Sequence, residues 1–169
     1  MVDITAKLKI RPGAYKVDVK GRLALPFAAR RNAQQGGKQV AKLESGEEVA
    51  LKLPAGEVLR GGDLVTASDG RVIEVVAVPE TLLHVEGVAM PRIAWLLGNG
   101  HVPVEFGDGF MRLAEVPDLE HALRQHGLEV SKIEAPFEPE VLGGDDAHEH
   151  DHDHAHDHDH GHDHGHHHH

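Results

Sequence analysis

Between Asp145 and His169 the only apolar side chains are Ala147 and Ala155. A segment of that composition cannot bury enough surface to offset the entropy of ordering it, so whatever this chain folds into is built upstream. The same end of the chain, residues 143–169, holds thirteen of the 17 histidines and eight of the 28 acidic residues, and no Lys or Arg follows Lys132. The formal charge of −11 therefore divides into about −8 for this tail and about −3 for the rest. The chain reads as two objects, a nearly neutral body and a disordered His-rich tail.

The body excludes several classes. It has no basic stripe, and an acidic tail opposes the phosphate contacts that dominate nucleic-acid affinity, so no nucleic acid is expected. No apolar run approaches the roughly 18–20 residues that cross a bilayer, and Met1-Val2-Asp3-Ile4-Thr5 lacks the basic-then-apolar layout of a signal peptide. No membrane partner and a cytoplasmic location follow as expectations. The absence of cysteine removes disulfides, thiolate nucleophiles and thiolate metal sites together. Any metal must be held by nitrogen and oxygen. No Ser/His/Asp order or paired-carboxylate motif stands out, so no catalytic residue is assigned and the chain reads as a non-enzyme.

The body itself changes grammar near Pro79. Before it, short alternating apolar runs such as Val49-Ala50-Leu51-Lys52-Leu53 and Arg71-Val72-Ile73-Glu74-Val75-Val76 are separated by Ser45-Gly46, Gly61-Gly62 and Asp69-Gly70. Residues 1–77 thus read as a small all-β domain, with Asp69-Gly70 in a hairpin turn. After it, a strand at 81–88 precedes a helix over 92–99, with Pro91 near its start. Two strands at 102–106 and 110–116 flank the turn Gly107-Asp108-Gly109. Asp118 is placed as the N-cap of a second helix ending at His126 and Gly127, and a last strand covers 128–133. This βαββαβ order is that of a ferredoxin-like domain over 78–142. The fold class is α+β, and Ala135-Pro136-Phe137-Glu138-Pro139-Glu140 is expected to leave the second domain toward the tail at 143–169.

In the tail, histidine recurs at almost every second position: His148, His150, His152, His154, His156, His158, His160, His162 and His164, followed by His166, His167, His168 and His169. Imidazole is the commonest metal ligand, and the interleaved carboxylates donate oxygens and raise the local cation concentration. Four terminal histidines resemble a purification tag, but the long acidic alternation does not. The donor set suits Ni(II), Cu(II), Zn(II) or Co(II) and does not choose among them. In the body, Gly98-Asn99-Gly100-His101 follows the first helix of the second domain. Glycines either side of Asn99 permit positive φ and a tight exit, leaving His101 at an edge. One histidine cannot complete a site, but a two-fold dimer would bring two copies together. His84, His121 and His126 read as structural. Gly98-Asn99-Gly100 is no dinucleotide fingerprint, because it follows a helix and Pro103 stands where a third glycine belongs.

Taken together, Leu51-Lys52-Leu53-Pro54-Ala55-Gly56, Leu59-Arg60-Gly61-Gly62-Asp63, Leu97-Gly98-Asn99-Gly100-His101-Val102-Pro103, Ala135-Pro136-Phe137-Glu138-Pro139-Glu140 and the His-rich end resemble the UreE family of urease accessory proteins. The resemblance covers nearly all of residues 15–169. It implies a partner-binding N-terminal domain, a ferredoxin-like metal-binding and dimerisation domain, and a homodimer holding nickel between two copies of His101. It also implies apo-urease and its accessory proteins, including the GTPase, as partners. Where the family commonly has His-Leu-Gly-Asn-Arg-His, this chain has Leu96 for the first histidine and Gly100 for the arginine. The expectation is a nickel metallochaperone whose tail captures Ni(II) as cargo, with Cu(II), Zn(II) or Co(II) able to bind in vitro. A His-rich metal store without a dedicated recipient is the alternative.

Overall fold

A computed structural model describes residues 1–9, 16–33 and 37–140. Two sheets carry the fold, each with its own apolar cluster. The first contains β1 (Val2–Lys7), β2 (Val19–Leu25), β3 (Gln39–Lys42), β4 (Glu48–Leu51), β5 (Leu64–Ala67) and β6 (Val72–Ala77), in the order β2-β6-β5-β1-β4-β3. Side chains alternate across these strands, so β5 and β6 bury Val65, Ala67, Ile73 and Val75 while their neighbours face outward. Ile4, Leu23, Val49 and Leu51 complete the interior. The sheet curls until its two edges meet. Glu44 N–H, beyond β3, donates to Arg22 O on β2 at 2.9 Å. Gly21 sits at that closure, where an added Cβ would lie 3.4 Å from Leu43 Cδ1.

Two elements of this region were not expected from the sequence, one of them a helix in an otherwise β domain. β1 lies in the middle of the sheet, parallel to β4 and antiparallel to β5, although no strand was expected there. A six-residue helix, α1 (Phe27–Asn32), interrupts the strands after Pro26. Proline ahead of the first turn and a short run containing Ala28, Ala29, Arg30 and Arg31 favour helix locally, a signal hidden by the surrounding β pattern. The Asp69-Gly70 hairpin forms as expected between β5 and β6, with Gly70 at φ +84.

The second sheet contains β7 (Pro79–Glu86), β8 (Glu105–Gly107), β9 (Phe110–Ala114) and β10 (Glu129–Pro136), in the order β10-β7-β9-β8. With α2 (Met90–Asn99) after β7 and α3 (Leu119–Gln125) after β9, this is the ferredoxin-like βαββαβ arrangement, antiparallel throughout. Leu83, Val85, Met111, Leu113 and Val130 point from the sheet toward Ile93 and Leu97 of α2 and Leu123 of α3. Each such burial contributes about 1.5–3 kcal/mol. On the opposite face Arg112 stacks over Phe110, whose ring lies 4.6 Å from that of His84. Phe110 also covers Gly107 across the hairpin: an added Cβ there would come within 2.0 Å of the ring.

Three expectations need correction here. The strand foreseen at 102–106 shrinks to Glu105–Gly107, because Val102 still belongs to the exit turn of α2 and Pro103 has no N–H for a ladder. Asp118 does occupy the N-cap position of α3, but at φ 65 and without a side-chain capping bond. Residues 137–140 do not run free of the domains. Phe137 is 1% exposed, its ring edge-on to Phe27 at 5.0 Å, and Glu138 pairs with Arg30 of α1 at 2.8 Å. This short strap joins the end of the second domain back onto the first. Val141 and all residues beyond it lie outside the described residues.

Candidate metal centre

The local sequence of α2 determines how His101 is presented. Ile93 and Leu97 face the core, and the helix carries no basic residue in its last turn. It ends in a two-bond exit. Val102 N–H donates to Leu97 O at 2.9 Å and His101 N–H to Gly98 O at 3.0 Å, while Val102 packs against the apolar cluster. This is a Schellman motif, which places one residue in the left-handed region. The positive φ falls on His101, at 57, and not on Gly98 or Gly100 as the glycine spacing suggested; Gly100 has φ −84. Helical backbone persists through Gly98 and Asn99, so the reversal is deferred to the next residue. α3 ends in the same motif with Gly127 at φ +78 in the equivalent place. A histidine in a position that favours glycine costs backbone energy, and such strain concentrates where a side chain has a task.

Turned outward by this backbone, the His101 ring is exposed and makes no hydrogen bond among the described residues. It stands at the C-terminal end of α2, where the helix dipole favours a cation and no Lys or Arg supplies one. The surrounding domain strengthens the field. Residues 78–140 hold eleven acidic and four basic side chains, whereas residues 1–77 hold nine acidic and thirteen basic ones. The near-neutral total of the body hid this separation, although it was countable from the sequence.

Among the described residues no three His, Asp or Glu side chains gather into a group able to hold a metal ion. His101 is therefore a single donor within one chain. His84 is engaged elsewhere: its Nε2 is 2.9 Å from Glu86 Oε1, and its ring lies against Phe110. His121 pairs with Gln125 along α3, and His126 is the exposed C-cap of that helix. His148 through His169, the tail donors, lie outside the described residues. Trp95 is 69% exposed and Leu96 43% exposed on the outer face of α2, one turn before His101. No helix among the described residues is long and apolar enough to cross a membrane.

A contact near the tail's origin was not foreseen. Glu140 N–H donates to Val104 O at 3.0 Å. Val104 is three residues from His101, a separation of at most about 10 Å along the chain. Glu140, the last described residue, is thus held near the turn that presents His101.

A family model described as UreE urease accessory protein, N-terminal domain, matches residues 19–78, and one described as the C-terminal domain matches residues 72–169. A urease accessory protein UreE of Burkholderia vietnamiensis is 43% identical over 133 residues, covering 76% of this chain and 64% of its own length. Proteins of the same name from Ralstonia nicotianae and Cupriavidus necator are each 42% identical over 134 residues, covering 76% of this chain and 62% and 68% of theirs. The chain thus spans a little under two thirds of the length of most of these relatives.

Proposed function

The chain belongs to the UreE urease accessory protein family, and from that premise we propose that it is a non-catalytic nickel carrier acting in urease maturation. Residues 143–169 collect Ni(II), His101 from two subunits anchors an ion across a two-fold axis, and docking on a partner releases it. In this reading residues 1–77 meet protein partners and residues 78–142 bind metal and dimerise. The partners are apo-urease and its accessory proteins, including the GTPase, in the cytoplasm.

What supports the reading is the Glu140–Val104 hydrogen bond, which holds the last described residue, three positions before the collecting segment begins in sequence, near the turn that presents His101. Metal taken up on a segment that must order to bind is held less firmly than in a preformed cage, so it exchanges readily. Exchange toward His101 suits a carrier. The exposed Trp95 and Leu96 beside His101 supply an apolar contact for a second copy, and isologous pairing would set the two rings face to face.

Equilibrium dialysis against nickel tests this on three proteins: the full chain, a form ending at Gly144, and that form with His101→Ala. The expected result is a large drop in bound nickel on truncation, a small residual per dimer, and loss of that residual with the substitution. Retention of nickel in the third protein overturns the role of His101. Full loading without any activation of apo-urease favours a metal store instead.

A further inference from the structure

β10 is the longest strand at a sheet edge among the described residues, and its ladder with β7 runs from Glu129 to Pro136 without a bulge. Pro136 fixes the hydrogen-bond parity of that edge, because it lies opposite Pro79. Two prolines have no N–H to exchange, so theirs is a non-bonded pair. Bonded and non-bonded pairs alternate along an antiparallel ladder. Glu129, Ser131, Ile133 and Ala135 therefore bond to β7, while Val130, Lys132, Glu134 and Pro136 turn their backbone groups away from the sheet. Arg124 of α3 agrees with this assignment, since its Nη2 donates to Val130 O. The remaining outward groups are the N–H of Val130, Lys132 and Glu134 and the carbonyls of Lys132, Glu134 and Pro136. None has a hydrogen-bond partner among the described residues.

We propose that this edge pairs with the same edge of a second copy of the chain, antiparallel about a two-fold axis at Ile133, joining two four-stranded sheets into one. The outward donors and acceptors read the same when the strand is turned end for end about Ile133. Lys132 exchanges both backbone bonds with Glu134 of the second copy, and the two-fold repeats the exchange. Val130 N–H donates to Pro136 O across the junction. Val130 O, the acceptor that a facing proline could not serve, is the one Arg124 already serves. Charge selects the register. Exposed Lys132 stands opposite exposed Glu134 twice on the face shared with Val130, and half-buried Ile133 meets its own copy on the other face. Moving the axis to Lys132 or to Glu134 sets that charge opposite itself, which is destabilising. Lysine and proline blunt many sheet edges, but in this register neither is left unmatched. The junction is also separate from the nickel axis. β8, which follows His101, is three strands from β10, so a two-fold at Ile133 keeps the two His101 turns roughly 30 Å apart.

Amide exchange read by NMR on the full chain in chelator, from micromolar to millimolar protein, tests the pairing. The ladder amides of Ser131, Ile133 and Ala135 are protected at every concentration. Those of Val130, Lys132 and Glu134 face water in the single chain and gain protection as concentration rises, an alternation that contact through α2 does not produce. Glu134→Lys turns two attractive cross-strand pairs into two repulsive ones and weakens the association about ten-fold. Glu134 is the position to change, because Lys132 also pairs with Glu115 and Glu120 of its own chain. Glu134→Pro removes one junction bond per copy and no ladder bond, since that N–H points away from β7, and it abolishes the concentration-dependent protection. Should the proline variant fail to fold, the lysine variant decides. Fast exchange at 130, 132 and 134 in the parent at every concentration overturns the proposal. So does protection that is independent of concentration, which would mean that the chain covers its own edge, and so does protection that neither variant changes. The inference does not rest on nickel, and loss of the His101 site in dialysis leaves these readouts unaltered.

Discussion

His101→Gly should stabilise the protein while removing its candidate ligand, an unusual combination that follows from the exit of α2. A non-glycine residue in the left-handed region costs roughly 1–2 kcal/mol. Glycine relieves that cost but loses roughly 0.5–1 kcal/mol through the greater freedom of the unfolded chain. The exposed ring of His101 has no hydrogen bond among the described residues to forfeit. The net gain is about 0.5–1 kcal/mol, a rise in melting temperature of about 1–4 °C for a protein of this size. α3 supplies the precedent within the same domain, since Gly127 occupies the matching position at φ +78. His101→Ala keeps a Cβ in the strained conformation, so it should melt about 1 kcal/mol below the glycine variant. The assay is thermal unfolding of all three proteins in chelator, with nickel dialysis of the same proteins truncated after Gly144. Equal melting of the glycine and alanine variants would refute the left-handed assignment. A glycine variant less stable than its parent would show that the ring packs against something.

Nickel stoichiometry of the full chain should fall steeply between pH 7 and pH 5, because imidazoles with a reference pKa of about 6.5 become cations that neither ligate nor attract metal; calorimetric titration at both values checks this. Arg71 donates to both oxygens of Glu47, at 2.8 and 2.6 Å, which holds that carboxyl below its ordinary range, and Asp69 is held below its range first by the Arg71 backbone N–H at 3.1 Å and then by the guanidinium at 2.7 Å. Carboxylates depressed in the folded state contribute stability above their unfolded pKa of about 4, lost as pH falls through the folded values. Arg71→Gln should therefore flatten the acid limb of the stability curve below about pH 4.5, read from urea midpoints against pH. Phe137→Ala removes a ring 1% exposed between the domains and should cost about 3–5 kcal/mol. Calorimetry should then show two unfolding transitions in place of one.

The second domain was legible from the sequence because its punctuation is local. Gly107-Asp108-Gly109 and Gly127 mark turns whose chemistry allows little else, Pro91 marks the start of α2, and the apolar positions of α2 and β9 repeat at the right periods. The order βαββαβ follows directly. β1 was missed because Val2, Ile4 and Ala6 alternate over too few residues to stand out from the flanking polar ones, and it becomes a strand through pairing with β4 and β5, distant in sequence. α1 is a single short helix in β surroundings. At the candidate site, His101 could be singled out by residue type, but its left-handed backbone could not, because adjacent glycines were the better guess on propensity alone. Glu138 stood out only as part of a family-like segment, with no sign of what it touches. Its charge reads as exposed until Arg30, more than a hundred residues earlier, is seen to be buried against it.

The strap also sets the order in which the chain can be completed during synthesis. Arg30 and Phe27 emerge from the ribosome early, yet the residues that neutralise and cover them, Glu138 and Phe137, are made more than a hundred residues later. Until then the first domain carries a guanidinium without its carboxylate and an aromatic face without its cover, both unfavourable in a closed core. A nascent chain stopped after β6 therefore holds every strand of its sheet and still lacks the buried Phe137 ring and the half-buried Glu138 carboxylate. The boundary of the cooperative unit does not coincide with the boundary of the sheet, and domain-wise folding from the N-terminus gives way here to closure from the far end.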